Sequence, residues 1–253
     1  MERGAGVVAS SAGNHGLGLA WAAKQLGISA TVYVPRMAPA VKRDGISALG
    51  ATVDASVPSY DAAHEAALAH AARTGARYVD PCSGAVLLAG QGTVAMEIAE
   101  QLPDVGSVVV PVGGGGLLGG VASWFRATVP EVQILGAQSE RTAALAKSLA
   151  AGRVVPIAEE PTLADGLAGG IDETALAIGE AALDAIALVT EDDIAAAIAL
   201  LHREEGLVVE GSGAVGVAAL ATGALGAGEG PCVVVVTGGN IDPERHSEIV
   251  GGR

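Results

Sequence analysis

The chain has 253 residues, of which half are hydrophobic, 17% charged and 2% aromatic. It is long enough for one large or two smaller folded domains, with cores built from Ala, Val, Leu and Ile. A formal charge of −14, without any basic run or aromatic–basic interleaving, argues against nucleic acid and acidic membranes as partners.

Short β-rich runs alternate with longer Ala- and Leu-rich helical runs along the sequence. Residues 1–8 hold no apolar signal core, so no export is expected. Strands are predicted at Val7–Ala9, Thr31–Val34, Thr52–Ala55 and Arg77–Val79. Between them helices are predicted at His15–Leu26, Ala40–Leu49 and Asp61–Thr74, with turn signals at Gly27, Pro35, Gly50 and Gly75. A boundary at Asp80-Pro81 gives a small α/β domain over residues 1–80 and a larger one over 81–253. The second series opens with a helix at Gln91–Gln101. Val105–Phe125 is an uncharged stretch long enough to raise the question of a membrane span, but Pro111 and its glycines break any spanning helix. It reads as a strand (Ser107–Val112), a loop and a helix (Leu117–Thr128). A strand at Val132–Ala137 and a helix at Thr142–Ala151 follow, and then a Pro- and Gly-rich loop over 152–170, a length at which loops are often functional. Beyond it lie a helix at Glu173–Leu183, a strand at Ala187–Thr190 and a helix at Glu191–Glu205 that Thr190 caps. A Gly-rich turn at Gly211–Gly213 opens another helix, and a strand runs over Cys232–Thr237. Its β-branched run, Val233–Val236, suits a central strand covered on both faces. Strands and helices alternating in this way imply parallel βαβ units.

Two cysteines, Cys82 and Cys232, lie far apart with no metal-ligand spacing, as in a reduced cytosolic chain with buried thiols. His64, His70, His202 and His246 have no triad-like or ligand-like companion and read as solvated or core residues. Glu210 is a candidate site-lining carboxylate, although an acid at a helix start explains it nearly as well.

Three loops follow the carboxyl ends of predicted strands, where open α/β sheets bind ligands. They are SSAGNHG at Ser10–Gly16, VPVGGGGLLGG at Val110–Gly120 and TGGN at Thr237–Asn240. Gly113–Gly116, between a strand and a helix, present backbone N–H groups that no side chain obstructs, which makes an anion site. Each loop alone also has a plainer reading, such as a helix cap at Asn14. Gly114-x-Gly116-x-x-Gly119 fits a dinucleotide fingerprint, with Glu140 roughly twenty residues on for a ribose, and so admits a nicotinamide-dependent dehydrogenase.

Taken together and in order, the loops resemble the fold-type II pyridoxal-phosphate enzymes, specifically the threonine/serine dehydratase and serine racemase group. The resemblance runs from Val7 to about Asp242 and includes GQGTVAMEI, TLADGLA, VTEDDI and EGSGAVGVAAL. It implies two three-layer parallel-sheet domains of tryptophan synthase β-like architecture, pyridoxal 5′-phosphate as cofactor and an amino-acid substrate, in a cytoplasmic homodimer. By the same resemblance Gly113, Gly114, Gly115, Gly116 and Leu117 cradle the cofactor phosphate, Asn14 bonds the ring 3′-oxygen and Thr237 faces the ring nitrogen. Ser11, Asn14 and His15 grip the substrate carboxylate. The implied reaction is elimination of water from threonine or serine to give a 2-oxo acid and ammonia.

The sequence departs from the family pattern in three places. Family members bind the cofactor through a lysine Schiff base ahead of the asparagine loop, and no such segment is present. Lys24, Lys42 and Lys147 all stand on helical stretches, so no catalytic residue is assigned. That lysine is expected upstream of Met1, in a chain truncated at its N-terminus and inactive as written; the alternative is a non-catalytic cofactor-binding fragment. Ala12 stands where racemases carry a serine that reprotonates the opposite face, so racemisation is not expected. Gln138 and Ala144 stand where some members carry carboxylates for a divalent cation, so no metal is expected.

Overall fold

The computed structural model describes residues 4–38, 40–158, 160–226 and 228–252, within two compact units, Met1–Pro81 and Cys82–Arg253. The first unit runs β1 (Val7–Ser10), α1 (Asn14–Leu26), β2 (Ala30–Pro35), α2 (Ala40–Ala48), β3 (Thr52–Val57), α3 (Tyr60–Thr74) and β4 (Arg77–Tyr78). Its four strands are all parallel, in the order β3-β2-β1-β4. Successive strand residues point to opposite faces, and the packing follows that alternation. Val32 and Val34 of β2 join Ala20, Ala23 and Ile46 of α1 and α2 in one cluster. Tyr33, between them, joins Val8, Ala67 and Tyr78 under α3. Helices therefore cover both faces of the sheet.

The second unit runs α4 (Ala85–Gln101), β5 (Ser107–Pro111), α5 (Gly116–Thr128), β6 (Gln133–Ser139), a 3-10 turn at Glu140–Thr142 and α6 (Ala144–Ala151). After a second 3-10 turn at Asp165–Leu167 come α7 (Glu173–Ala182), β7 (Ala185–Val189), α8 (Glu191–Glu205), α9 (Gly211–Ala221), β8 (Cys232–Val234) and α10 (Pro243–Gly251). Its strands are also all parallel, in the order β7-β6-β5-β8. Val109 of β5 and Leu135 of β6 pack with Ile194, Ile198 and Val215 of α8 and α9. Val108, Val110 and Ile134 pack with Leu118, Phe125 and Leu176 on the other face. This too is a three-layer α/β unit. Where α4 meets α5, a Cβ on Gly120 would lie 2.6 Å from the Gly92 nitrogen, so the helices approach backbone to backbone, as the glycine-rich composition requires.

Three elements differ from expectation. The strand at Cys232 stands at the edge of its sheet instead of the centre and ends at Val234. Its β-branched run reports covered faces, with Val234 packing in one cluster and Val233 and Val235 in the other. Faces say nothing about edges. The helix expected from Gln91 begins six residues earlier, at Ala85. Last, α10 is an additional helix, capped by Asp242, whose side chain accepts from the N–H groups of Glu244 and Arg245, with Pro243 at its first position.

The long segment after α6 is fastened at its far end by Glu191. Ser139 and Thr162 each donate a hydroxyl to that carboxylate at 2.7 Å, and the Leu163 N–H donates as well. Burial pushes the Glu191 carboxyl upward, but these donors and the Arg141 charge outweigh it and hold the group below its ordinary value. The carboxylate is thus the stable form at neutral pH, and Thr162–Leu163 stays tied to the start of α8.

Candidate active site

The glycine-rich loop leaves the carboxyl end of β5 and enters α5. Gly115, at φ +92°, occupies the left-handed region and caps the helix with no side-chain hydrogen bond. The first N–H groups of α5 thus have no side-chain cap, and the helix dipole adds positive potential there. The loop is tightly backed from behind. A Cβ on Gly113 would lie 3.1 Å from the Leu167 Cα, one on Gly114 would overlap the Cys82 thiol, and one on Gly115 would lie 2.7 Å from the Ala175 Cβ. Glycine is required here for close approach as well as for backbone angle. A cradle of this kind, with backbone donors and no lysine or arginine among residues 113–120, fits a compact phosphate monoester.

Thr237 follows β8, the direct neighbour of β5, with Ser107 opposite Cys232 and Val109 opposite Val234. The Gly113–Leu117 loop and Thr237 therefore leave the carboxyl ends of two adjacent parallel strands. Thr237 is half-buried, and its carbonyl lies against Gly213 at the start of α9, where a Cβ would overlap it. The neighbouring Gly238 carbonyl accepts from the Glu210 N–H at 3.2 Å. Asn240, which closes the TGGN loop, has a buried side-chain nitrogen without a hydrogen-bond partner. Glu210 itself is buried at the N-cap of α9.

In the first unit, the loop after β1 turns sharply into α1. Ser11 accepts a hydrogen bond from the Gly13 N–H at 3.2 Å on its hydroxyl. Gly16 packs so closely on the Ser11 carbonyl that a Cβ would overlap it. Gly13 is the N-cap and Asn14 the first helical residue, so the Asn14 side chain is not the cap. It is exposed. His15 places Nε2 at 3.1 Å from the Val79 carbonyl, and since a carbonyl only accepts, Nε2 carries the proton. Burial lowers the His15 pKa, against smaller opposing effects of that hydrogen bond and of Asp80, so the ring is neutral at pH 7 with Nδ1 unprotonated. Ala12 is buried in the core.

Of the other histidines, His64 and His70 pair with the hydroxyls of Tyr78 and Tyr33 at 2.8 and 3.1 Å. His246 is buried against His202, with ring centroids 5.1 Å apart, and burial first, then His202, lowers its pKa. Neither cysteine is in a disulfide, and both are half-buried. Sequence reasoning left Cys82, Leu167 and Ala175 out of the site. They back the glycine loop from positions distant in sequence, and no local motif marks them. Gln138 is buried behind the same loop. Among the described residues, no helix is long and apolar enough to cross a membrane.

The site therefore combines a three-layer parallel α/β fold with a glycine loop that has no side-chain cap and a Thr-Gly-Gly-Asn loop on the neighbouring strand. Residues 1–238 match the family model described as pyridoxal-phosphate dependent enzyme. The chain belongs to that family, whose cofactor is pyridoxal 5′-phosphate. It is 42% identical over 250 residues to the L-threonine ammonia-lyase of Thermotoga maritima, covering 98% of this chain and 62% of that protein. It is 38% identical to the L-threonine ammonia-lyase of Geobacter sulfurreducens, covering 97% and 61%. The chain thus spans about three fifths of the length of these relatives. Among solved structures, maize serine racemase superposes with a TM-score of 0.90 at 32% identity, covering 96% of this chain and 75% of that one. The processed form of threonine deaminase isoform 2 from Solanum lycopersicum gives 0.88 at 33%, covering 98% and 70%.

Proposed function

We propose that the chain carries the cofactor- and substrate-holding parts of an ammonia-lyase that converts threonine or serine to a 2-oxo acid and ammonia. The observation that carries this reading is the pairing of the glycine cradle with Thr237 on adjacent strand ends. When bound, pyridoxal phosphate supplies an electron sink for the substrate α-carbon. The N–H groups of Gly113–Leu117 hold its phosphate. Thr237 would meet the ring nitrogen with a hydroxyl that, being uncharged, would not stabilise a ring cation. Asn14 would bond the 3′-oxygen. Ser11, Asn14 and His15 bind the substrate carboxylate; with His15 neutral and its proton committed to Val79, the imidazole is not a cationic partner, and backbone N–H groups carry that grip.

Lys24 lies in the last turn of α1, Lys42 in α2 and Lys147 in α6, and none stands on a loop at a strand's carboxyl end. The reading assigns the Schiff-base lysine to none of them and expects negligible turnover from these 253 residues alone. It further proposes a cytosolic homodimer, and neither cysteine being in a disulfide is in keeping with that location.

The reading is tested by titrating the chain with reduced pyridoxyl-phosphate adducts of threonine, serine and phenylalanine. The threonine and serine adducts should bind more tightly than pyridoxal phosphate, and the phenylalanine adduct more weakly. No preference among the three adducts would refute the substrate class. Borohydride treatment with the cofactor should fix no single lysine; stoichiometric fixation on one of the three, with steady 2-oxobutanoate release from threonine, would overturn the lysine assignment.

A further inference from the structure

We infer that Gln138 is a positioning residue for the phosphate cradle: it sets the peptide between Val112 and Gly113 so that the Gly113 N–H is presented to a phosphate oxygen. Gln138 lies on β6 and is fully buried. With Pro111 opposite Ala137 in the ladder, it stands beside Val112, the last residue before the four glycines. Its Nε2 donates to the carbonyls of Val112 at 3.1 Å and Thr142 at 3.0 Å, and its Oε1 accepts from the Ala146 N–H at 3.0 Å. Two acceptors on one side and a donor on the other fix the orientation of the amide. Both protons of the NH₂ group are used, so the side chain acts as a three-point brace.

What that brace controls follows from peptide geometry. The Val112 N–H is already held by the Ala137 carbonyl at 2.9 Å, so the residue is pinned to β6 through both its backbone groups. A trans peptide is planar, with its C=O and N–H antiparallel. Holding the Val112 carbonyl toward Gln138 therefore turns the Gly113 N–H away from it. Glycines resist rotation weakly, and without the brace the first donor of the cradle loses its fixed direction.

The inference rests on reading Gly113–Leu117 as the phosphate site, and its test separates the two claims. Dissociation constants for pyridoxal phosphate and for pyridoxal, which lacks the phosphate, are measured by calorimetry on the chain and on Gln138→Met and Gln138→Glu. The unmodified chain should prefer the phosphorylated form. Gln138→Met should lose roughly tenfold of that preference, the scale of one buried carbonyl left unpaired, with pyridoxal affinity unchanged. In Gln138→Glu the preference, relative to the unmodified chain at the same pH, should recover on acidification, because a protonated carboxyl again donates to a carbonyl while accepting from Ala146. A merely structural role would weaken both ligands alike. If Gln138→Met does not fold, the pH course of Gln138→Glu decides. Retention of the full preference in Gln138→Met, or no recovery in Gln138→Glu, overturns the inference alone. Absence of any preference in the unmodified chain overturns the phosphate site itself.

Discussion

Replacing Gly114 with Val is expected to abolish pyridoxal phosphate binding, raising the dissociation constant by roughly a hundredfold or more. A Cβ at this position would overlap the Cys82 sulfur and lie 3.2 Å from the Cys82 Cβ, so the loop must move off its backing. Valine adds two methyl groups beyond that Cβ. A displaced loop no longer aims its N–H groups at one point, and residues 113–120 carry no cationic side chain to compensate. The cause is open to a direct check. Gly114→Ala should bind weakly on its own and recover when Cys82→Gly removes the thiol that the new methyl meets. No recovery in the double variant would show that contact with Cys82 is not the reason glycine is required.

Gly213→Ala is expected to destabilise the second unit by about 2 kcal/mol, after the roughly 1 kcal/mol that alanine gains over glycine inside a helix. The new Cβ would overlap the Thr237 carbonyl oxygen, lie 2.9 Å from that carbonyl carbon and 2.9 Å from the Val209 Cγ1. The obstacle is backbone at the start of α9, fixed in turn by the Glu210 to Gly238 hydrogen bond, so relief requires moving the Thr237 loop. Urea unfolding of both proteins measures the effect. Gly18→Ala on α1 is the control, because nothing lies within 4 Å of its added methyl, and it should be neutral or mildly stabilising. Equal effects at the two positions would contradict the packing argument.

Much of this architecture is legible in the residues. The helix Glu191–Glu205 follows from Thr190 and Asp193, whose side chains each satisfy the other's backbone N–H, and from Gly206 in the left-handed conformation at its end. The central runs, such as Val108–Val110 of β5, are legible because both faces are apolar. The start of α4 at Ala85 carries no side-chain cap and so no local start signal; Gly92, inside the expected helix, is tolerated because Gly120 of α5 packs against it. The helix α10 was hidden by its short polar sequence, although Asp242-Pro243 is a start signal. The edge position of β8 is not encoded in a local pattern at all. At the site, the donor-bearing loops announce themselves through glycine, whereas Cys82, Leu167, Ala175 and Gln138 do not, since packing between distant segments leaves no spacing to read.

On the proposed function, the Gly113–Gly116 loop serves a phosphate monoester and not a dinucleotide. A dinucleotide requires a second point of recognition, the ribose-binding acid, for which Glu140 is the candidate; it lies exposed in the 3-10 turn after β6. Calorimetric titration of the chain and of Glu140→Ala with pyridoxal phosphate and with NAD tests this most directly. Saturable pyridoxal phosphate binding, equal in the two proteins, with no saturable NAD binding, is the predicted result. Saturable NAD binding that disappears in Glu140→Ala would contradict it.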